Sequence, residues 1–191
     1  ILRLEEAVER YPNDPSVGSA TFMLAESYRH SAADIAAAIQ QNPRIDHRVS
    51  LEQARTHRLQ RASELFTTAI DRLDPLASLD SGHPAANPAG KLSPLDHEYL
   101  RACYMDRAGC AYALGNYPLA IKLYDQTSLR FSNDVTAVEA YVQIVNAYLA
   151  LKEPTQASAA AERAQWVLKR VPDAAFSKQP IKLTRQYYQN L

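Results

Sequence analysis

The sequence has little glycine, little cysteine and no excess of either charge. Its 191 residues include five glycines and two cysteines, and its 21 basic side chains equal its 21 acidic ones. Five dispersed glycines leave no glycine-rich loop to cradle a phosphate group, and a nucleic-acid-binding surface would show a basic excess or stripe. No apolar run approaches the roughly 20 residues that cross a bilayer. We therefore expect neither a nucleic-acid partner nor direct membrane insertion of this segment.

The two cysteines are expected to be small core residues. Cys103 and Cys110 lie seven positions apart in one predicted helix, which places them about 10 Å apart along the helix axis. This separation exceeds the reach of a disulfide bond. Two buried thiols suit a reducing compartment but do not exclude an oxidising one.

No pattern of chemistry-bearing residues indicates an enzyme. None of the five histidines has a second histidine three or four positions away, and none has a cysteine at ligand spacing, as a metal site would favour. Asp71 and Asp74 are better explained as solvated acids than as a general acid–base pair. We therefore predict a non-catalytic chain without a metal or a cofactor.

Helical periodicity runs through every long segment of the chain. Apolar residues recur every three or four positions along these segments. None of the segments shows the alternation of apolar and polar residues that is typical of a strand. Ser93 followed by Pro94 is a strong helix start, another helix is expected to begin near Ser50, and Pro75 follows an expected helix end. Proline, glycine, serine and alanine dominate residues 77–92, which predicts a flexible loop. The fold class is therefore predicted to be all-α.

One stretch has small and aromatic residues at the fixed spacing of a helix–turn–helix repeat. It reads YMDRAGCAYALGNYPLAIKLYDQTSLRFSND and begins at Tyr104. The telling positions are Tyr104, Ala108, Gly115, Tyr117, Ala120, Ile121 and Tyr124. This stretch resembles the tetratricopeptide repeat family. The resemblance implies antiparallel helix pairs that stack as a right-handed superhelix, an α-solenoid.

The resemblance also implies how the rest of the chain is organised. We expect residues 1–191 to form a single helical-repeat domain, a fragment of a longer chain. The similarity to bacterial envelope-associated members of the family is loose, and both the bacterial cytoplasm and the periplasm stay open as locations. The expected segments are the end of a truncated repeat (1–12), a repeat extended by a long-helix insertion (15–75), the loop (77–92), two further repeats (93–134 and 135–172) and a terminal helix (177–191).

In this family the first helix of each pair lines a concave surface that binds the partner. Among the aligned residues, Asn146 would hydrogen-bond the backbone of a bound peptide. The lysines of a carboxylate clamp are absent around it, so an acidic C-terminal tail is not the expected ligand. Phe22 and Met105 also fit a role in packing alone. The aligned surface consists of Phe22, Glu26, Arg29, Met105, Asp106, Tyr112, Glu139, Gln143 and Asn146.

These residues indicate a class of function without naming a ligand. We expect a protein–protein interaction module that presents a concave helical groove to a peptide or protein partner. The alternative is a structural spacer, or an oligomerisation segment of a larger multi-repeat protein that associates with itself. Concentration-dependent self-association would separate the two.

Overall fold

The computed structural model describes residues 1–41, 45–80, 92–176 and 185–189. Within these ranges the secondary structure is helix and turn, without a strand, so the predicted all-α fold class is confirmed. No described helix combines the length and the hydropathy that a membrane span requires. The helices are α1 (Leu2–Arg10), α2 (Val17–Gln41), α3 (Ile45–Asp80), α4 (Pro94–Ala113), α5 (Tyr117–Arg130), α6 (Val135–Ala150), α7 (Pro154–Arg170), α8 (Asp173–Phe176) and α9 (Arg185–Gln189).

The chain divides into two compact units, Ile1–Leu114 and Gly115–Leu191. The boundary lies inside the stretch that most resembles a tetratricopeptide repeat, at its glycine turn. Gly115 takes a φ of +76° there, a conformation that costs glycine little because it has no Cβ. Asn116 then caps α5 by accepting a hydrogen bond from the Leu119 amide at 3.3 Å.

In the first unit, α2 and α3 form a long antiparallel pair. Gly18 near the start of α2 lies against Leu73 near the end of α3, while Ala32, later in α2, and Leu59, earlier in α3, line the same cleft. Small and large apolar side chains alternate in the core between them, and α4 packs on the same pair. The innermost residues are Leu24, Ala25, Ala62, Phe66, Ala69, Leu100 and Cys103.

Both ends of α3 lie at other residues than the sequence predicts. The helix begins at Ile45, before the expected start at Ser50, and the Ser50 hydroxyl donates to the His47 carbonyl inside its first turns. It continues through Pro75 to Asp80, because a proline ring removes one backbone donor but its φ is compatible with a helix. Residues 77–80 of the expected loop are therefore helical, and residues 81–91 lie outside the described residues.

Helices α4 and α6 begin where their capping residues predict. Ser93 and Asp96 form a reciprocal capping box at the start of α4: the Asp96 amide donates to the Ser93 hydroxyl at 3.1 Å, and the Ser93 amide donates to the Asp96 carboxylate at 3.1 Å. The Asp134 carboxylate accepts from the Thr136 amide at the start of α6. These pairs satisfy backbone donors that an uncapped helix would leave free.

In the second unit, α5 and α7 both pack on α6, and short turns connect the three helices in an antiparallel order. Their core extends to the two short helices α8 and α9. Tyr188 of α9 is buried in this core, and residues 177–184 and 190–191 of the expected terminal helix lie outside the described residues. The core consists of Val135, Ala137, Val138, Val167, Leu168, Val171, Phe176 and Tyr188.

Arg185 fastens α9 to the end of α7. Its guanidinium donates to the carbonyls of Leu168 and Val171, pairs with Asp173 at 2.8 Å and lies 4.9 Å from the centroid of the Phe176 ring. The last carbonyls of a helix have no partner within the helix. Arg185 therefore serves as a side-chain cap for α7 that comes from a distant part of the chain.

We predict that Arg185→Ala destabilises the second unit by about 1–3 kcal/mol, since charge-assisted hydrogen bonds to two carbonyls are lost. The single tryptophan of the chain, Trp166, lies on α7, so its fluorescence during urea unfolding reports this unit. Lys169→Ala removes an exposed cation from the same helix and serves as the matched control. Equal urea midpoints for the two variants would contradict the role of Arg185.

Candidate functional site

The first unit contains a cleft of about 290 Å³ lined by α2, the first half of α3 and α4. The cleft exists because half of its lining residues are alanine or glycine, which leave space between helices that otherwise pack closely. Charged side chains stand at its edges. The lining residues are Arg29, Ala32, Ala33, Ala36, Arg55, Leu59, Asp106, Gly109, Cys110 and Ala113.

Three residues of the expected binding surface meet at one edge of this cleft. Arg29 forms a bidentate ion pair with Glu26 one turn earlier in α2, with N–O distances of 2.6 and 2.8 Å. The Arg29 Nε atom also lies 3.7 Å from Oδ1 of Asp106 on α4. His30 Nε2 lies 3.3 Å from the second carboxylate oxygen of Glu26. The fold thus joins Glu26 and Arg29 of α2 with Asp106 of α4, which is distant from them in sequence, in one network.

Burial makes Asp106 an unusually weak acid. Loss of hydration raises the pKa of its carboxyl to about 6, and the negative charge of Glu26 also raises it, while Arg29 and His30 act in the opposite direction. The pKa of Arg29 is raised above its ordinary value, chiefly by its hydrogen bonds to Glu26. Asp106 therefore exchanges its proton within the physiological range, whereas Arg29 stays charged.

A second arginine defines the other edge of the cleft. Arg55 of α3 donates from Nη2 to the carbonyl of Ala113 at 2.9 Å, in the last turn of α4, where the helix dipole favours a positive charge. Arg58, one turn later, interrupts the apolar stripe of α3, and its guanidinium lies 5.4 Å from the centroid of the Tyr28 ring. The polar break in the stripe is thus explained by a cation–π contact.

The two cysteines are buried, as expected of core residues. Burial raises the pKa of the Cys103 thiol and raises that of Cys110, which lines the cleft, to about 12. A thiol acts as a nucleophile or a metal ligand in its thiolate form. Cys110 therefore presents a neutral, weakly polar surface to the cleft.

The remaining expected residues of the first unit lie in several environments. Phe22 stacks on Tyr99 with a centroid distance of 4.4 Å and lies 6.2 Å from the ring of Phe66. These contacts give Phe22 a packing role, which was one of its two expected roles. Met105 and Tyr112 of α4 are half-buried.

In the second unit, two of the three expected residues interact with each other and the third interacts with α9. The Asn146 amide donates to Oε1 of Gln143 at 3.3 Å on the exposed surface of α6. Glu139 accepts a hydrogen bond of 2.6 Å from the Tyr188 hydroxyl. Burial is the main reason for the raised pKa of Tyr188, and Glu139 raises it further. Part of this face of α6 therefore contacts α9.

Among the residues that the structure describes, no group of three His, Cys, Asp or Glu side chains could hold a metal ion.

Comparison with known proteins identifies no relative: no family model, no curated protein and no solved structure matches the chain. The resemblance to tetratricopeptide repeats therefore depends on the residues of this chain and stays a prediction.

We predict that the Asp106 carboxyl titrates with a midpoint near pH 6, which its carboxyl ¹³C shift in an NMR titration measures directly. Because this pKa is raised in the folded chain, the unfolded chain loses the proton first, and stability falls as pH rises from about 4 to about 6. Asp106→Asn should flatten that dependence, and Glu26→Gln should lower the midpoint. A midpoint near the ordinary value of about 4 in the parent protein would refute the prediction.

Proposed function

We propose that the chain is a non-catalytic protein-interaction module and that the cleft of the first unit is part of its binding surface. The observation that carries the proposal is the convergence of Glu26, Arg29 and Asp106 at a cleft lined by alanine and glycine. Helix-repeat proteins bind partners on surfaces built from successive helices. Here α2 and α4 supply these residues.

The lining of the cleft suits a peptide or the edge of a helix. Alanine and glycine allow a partner backbone to approach closely, and Leu59 offers an apolar contact at the bottom. Arg29 and Arg55 can donate to carbonyl or carboxylate oxygens. Asp106 can accept from a peptide amide when ionised and can donate when protonated. The mixture of both charges with a small apolar floor is typical of interfaces with peptides.

The helix arrangement supports a tetratricopeptide-like architecture as part of the same proposal. Adjacent helices pack as antiparallel pairs within each unit, α2 on α3 in the first and α6 on α7 in the second. We propose that these pairs are repeats of a right-handed α-solenoid and that α2 and α3 carry the long insertion. The balanced charge of the chain supports a protein rather than a nucleic acid as the partner.

One observation favours the alternative of a spacer or self-associating segment. Helix α1 has no buried residue: Leu2, its first residue, is 82% exposed, and Tyr11, directly after its end, is 57% exposed. Exposed apolar side chains on a short amphipathic helix suit a contact with a second copy or with another part of a longer protein.

To test the cleft, we would fill it with Ala36→Phe and compare this variant with Ala38→Phe, the same change about 200° around the same helix on an exposed face. Both are used as bait for affinity capture from the source organism, read by mass spectrometry. We expect the parent and Ala38→Phe to retain a common partner and Ala36→Phe to lose at least about nine-tenths of it, since a large side chain occupies the site. If a folded Ala36→Phe variant retained the partner, the cleft would be excluded as the binding site for that partner.

Sedimentation velocity distinguishes the interaction module from the self-associating segment. The interaction module is expected to stay monomeric over a hundredfold range of concentration. Reversible association that disappears in a Leu2→Ser, Tyr11→Ser double variant would instead favour the self-associating segment, because those changes remove exposed apolar area without touching the cleft.

A further inference from the structure

The second unit has a groove on the face of α6 opposite to the one that the repeat resemblance indicates. At 100° per residue, the mean direction of Tyr141, Ile144 and Tyr148 lies about 170° from the mean direction of Glu139, Gln143 and Asn146. The first three residues line a groove of about 290 Å³. This surface is separate from the cleft of the first unit and does not depend on the function proposed for that cleft.

The floor of the groove is α6 and its walls are α5 and α7. The α5 wall carries Lys122 and Asp125, while the α7 wall carries Arg163 beside two alanines. Ile144 of the floor and Ala160 of the α7 wall are buried, and the two tyrosines are half-buried. The lining residues are Pro118, Ile121, Lys122, Asp125, Tyr141, Ile144, Tyr148, Gln156, Ala159, Ala160 and Arg163.

Two cations and two phenol groups at this groove have no partner in the described part of the chain. Neither Lys122 nor Arg163 makes an ion pair there, and the hydroxyls of Tyr141 and Tyr148 make no hydrogen bond there. Both hydroxyls keep some exposure to solvent, so each is available to donate a hydrogen bond to a ligand in the groove. Four groups with unused hydrogen-bond donors therefore line one surface.

Tyrosines elsewhere in the chain show what such a hydroxyl pairs with. Tyr28 donates to Glu5 at 2.5 Å, Tyr104 donates to Asp74 at 2.8 Å, and Tyr188 donates to Glu139 at 2.6 Å. In each case a carboxylate from a different helix is the acceptor. Asp125 is the one carboxylate in the lining of the groove, and no described acid pairs with the two tyrosines or the two cations there. The complement of these four donors is thus a carboxylate that the described part of the chain does not supply.

Exposed apolar side chains extend the groove beyond its lining residues. Because α5 and α7 run in the same direction, their C-terminal ends lie at one end of the groove. Leu129, one turn after Asp125, is 69% exposed, and Trp166, nearly one turn after Arg163, is 58% exposed. The Arg170 guanidinium lies 4.4 Å from the centroid of the Trp166 ring. Apolar contacts and a further cation thus follow the two walls.

We propose that this groove binds an extended acidic peptide segment of a partner protein. Lys122 and Arg163 hold a carboxylate of the peptide from opposite walls, and the hydroxyls of Tyr141 and Tyr148 donate to its oxygens or to backbone carbonyls. An apolar side chain next to the acid packs towards Leu129 and Trp166. A volume near the lower end of the roughly 300–1,000 Å³ of ligand pockets admits the side chains of a short segment.

The experiment selects peptides from a phage library of random dodecapeptides on the whole chain and then measures binding of the selected peptides by fluorescence anisotropy. We expect enrichment of peptides with an aspartate or glutamate next to an apolar residue. Replacing that acid by its amide should weaken binding about tenfold or more, since a charge-assisted hydrogen bond is lost. Binding should also weaken as salt screens the two cations.

Variants of the protein locate the site. A Lys122→Gln, Arg163→Gln double variant should lose binding of the selected peptides. A Lys152→Gln, Lys169→Gln double variant removes the same charge from exposed positions outside the groove and should bind like the parent. Tyr148→Phe should weaken binding by a smaller factor. Ala36→Phe in the first unit should leave it unchanged, so failure of the groove and failure of the cleft are distinguishable.

Three outcomes would overturn the proposal. The first is a selection without enrichment of any peptide, and the second is enrichment of peptides that bind as tightly without their acid or to the Lys122→Gln, Arg163→Gln variant. The third concerns another anionic partner: vesicles of phosphatidylcholine with phosphatidylserine that bind the parent more tightly than the peptides do, through the same two cations, would make the groove a lipid-binding surface.

Discussion

The close packing of α2 against α3 is the contact on which the first unit depends. Ala25, Ala62 and Ala69 are fully buried between the helices, and a Cβ atom added to Gly18 would lie 2.8 Å from a methyl carbon of Leu73. Small residues at these points allow the helix axes to approach, and larger ones would force them apart. Because α4 packs on this pair, the same contact determines where Asp106 meets Arg29.

In the second unit the corresponding constraint is that α6 contacts three neighbours. Helices α5 and α7 pack on its sides, and α9 reaches one face through Tyr188 and Glu139. The opposite face, with Tyr141 and Tyr148, keeps a groove because the facing residues of α7 include alanines. Arg185 connects α9 to the α7 carbonyls, so an interaction at the end of α7 supports the order of the whole unit.

Local signals predicted most of the helices, because they act within a few residues. The Ser93 capping box and the glycine turn at Gly115 are examples in which side chains satisfy or release nearby backbone groups. One local signal failed at the end of α3. The helix continues through the exposed Pro75, since the φ of proline is compatible with a helix and one backbone donor is lost. Periodicity does not contain that information.

The candidate sites were only partly predictable from the sequence, because the residues that surround a side chain and pair with its charge come from other helices. The pairing of Arg29 with Glu26 follows from their spacing, but whether a half-buried tyrosine packs or faces a groove depends on the size of its neighbours, which come from other helices. The equal totals of acids and bases suggested a surface without preference. The fold distributes the charges unevenly, because Glu5, Glu139 and Asp173 pair within the chain. Lys122 and Arg163, in contrast, line one groove in which Asp125 is the one acid. A chain of zero net charge can therefore present a local surface that favours acids.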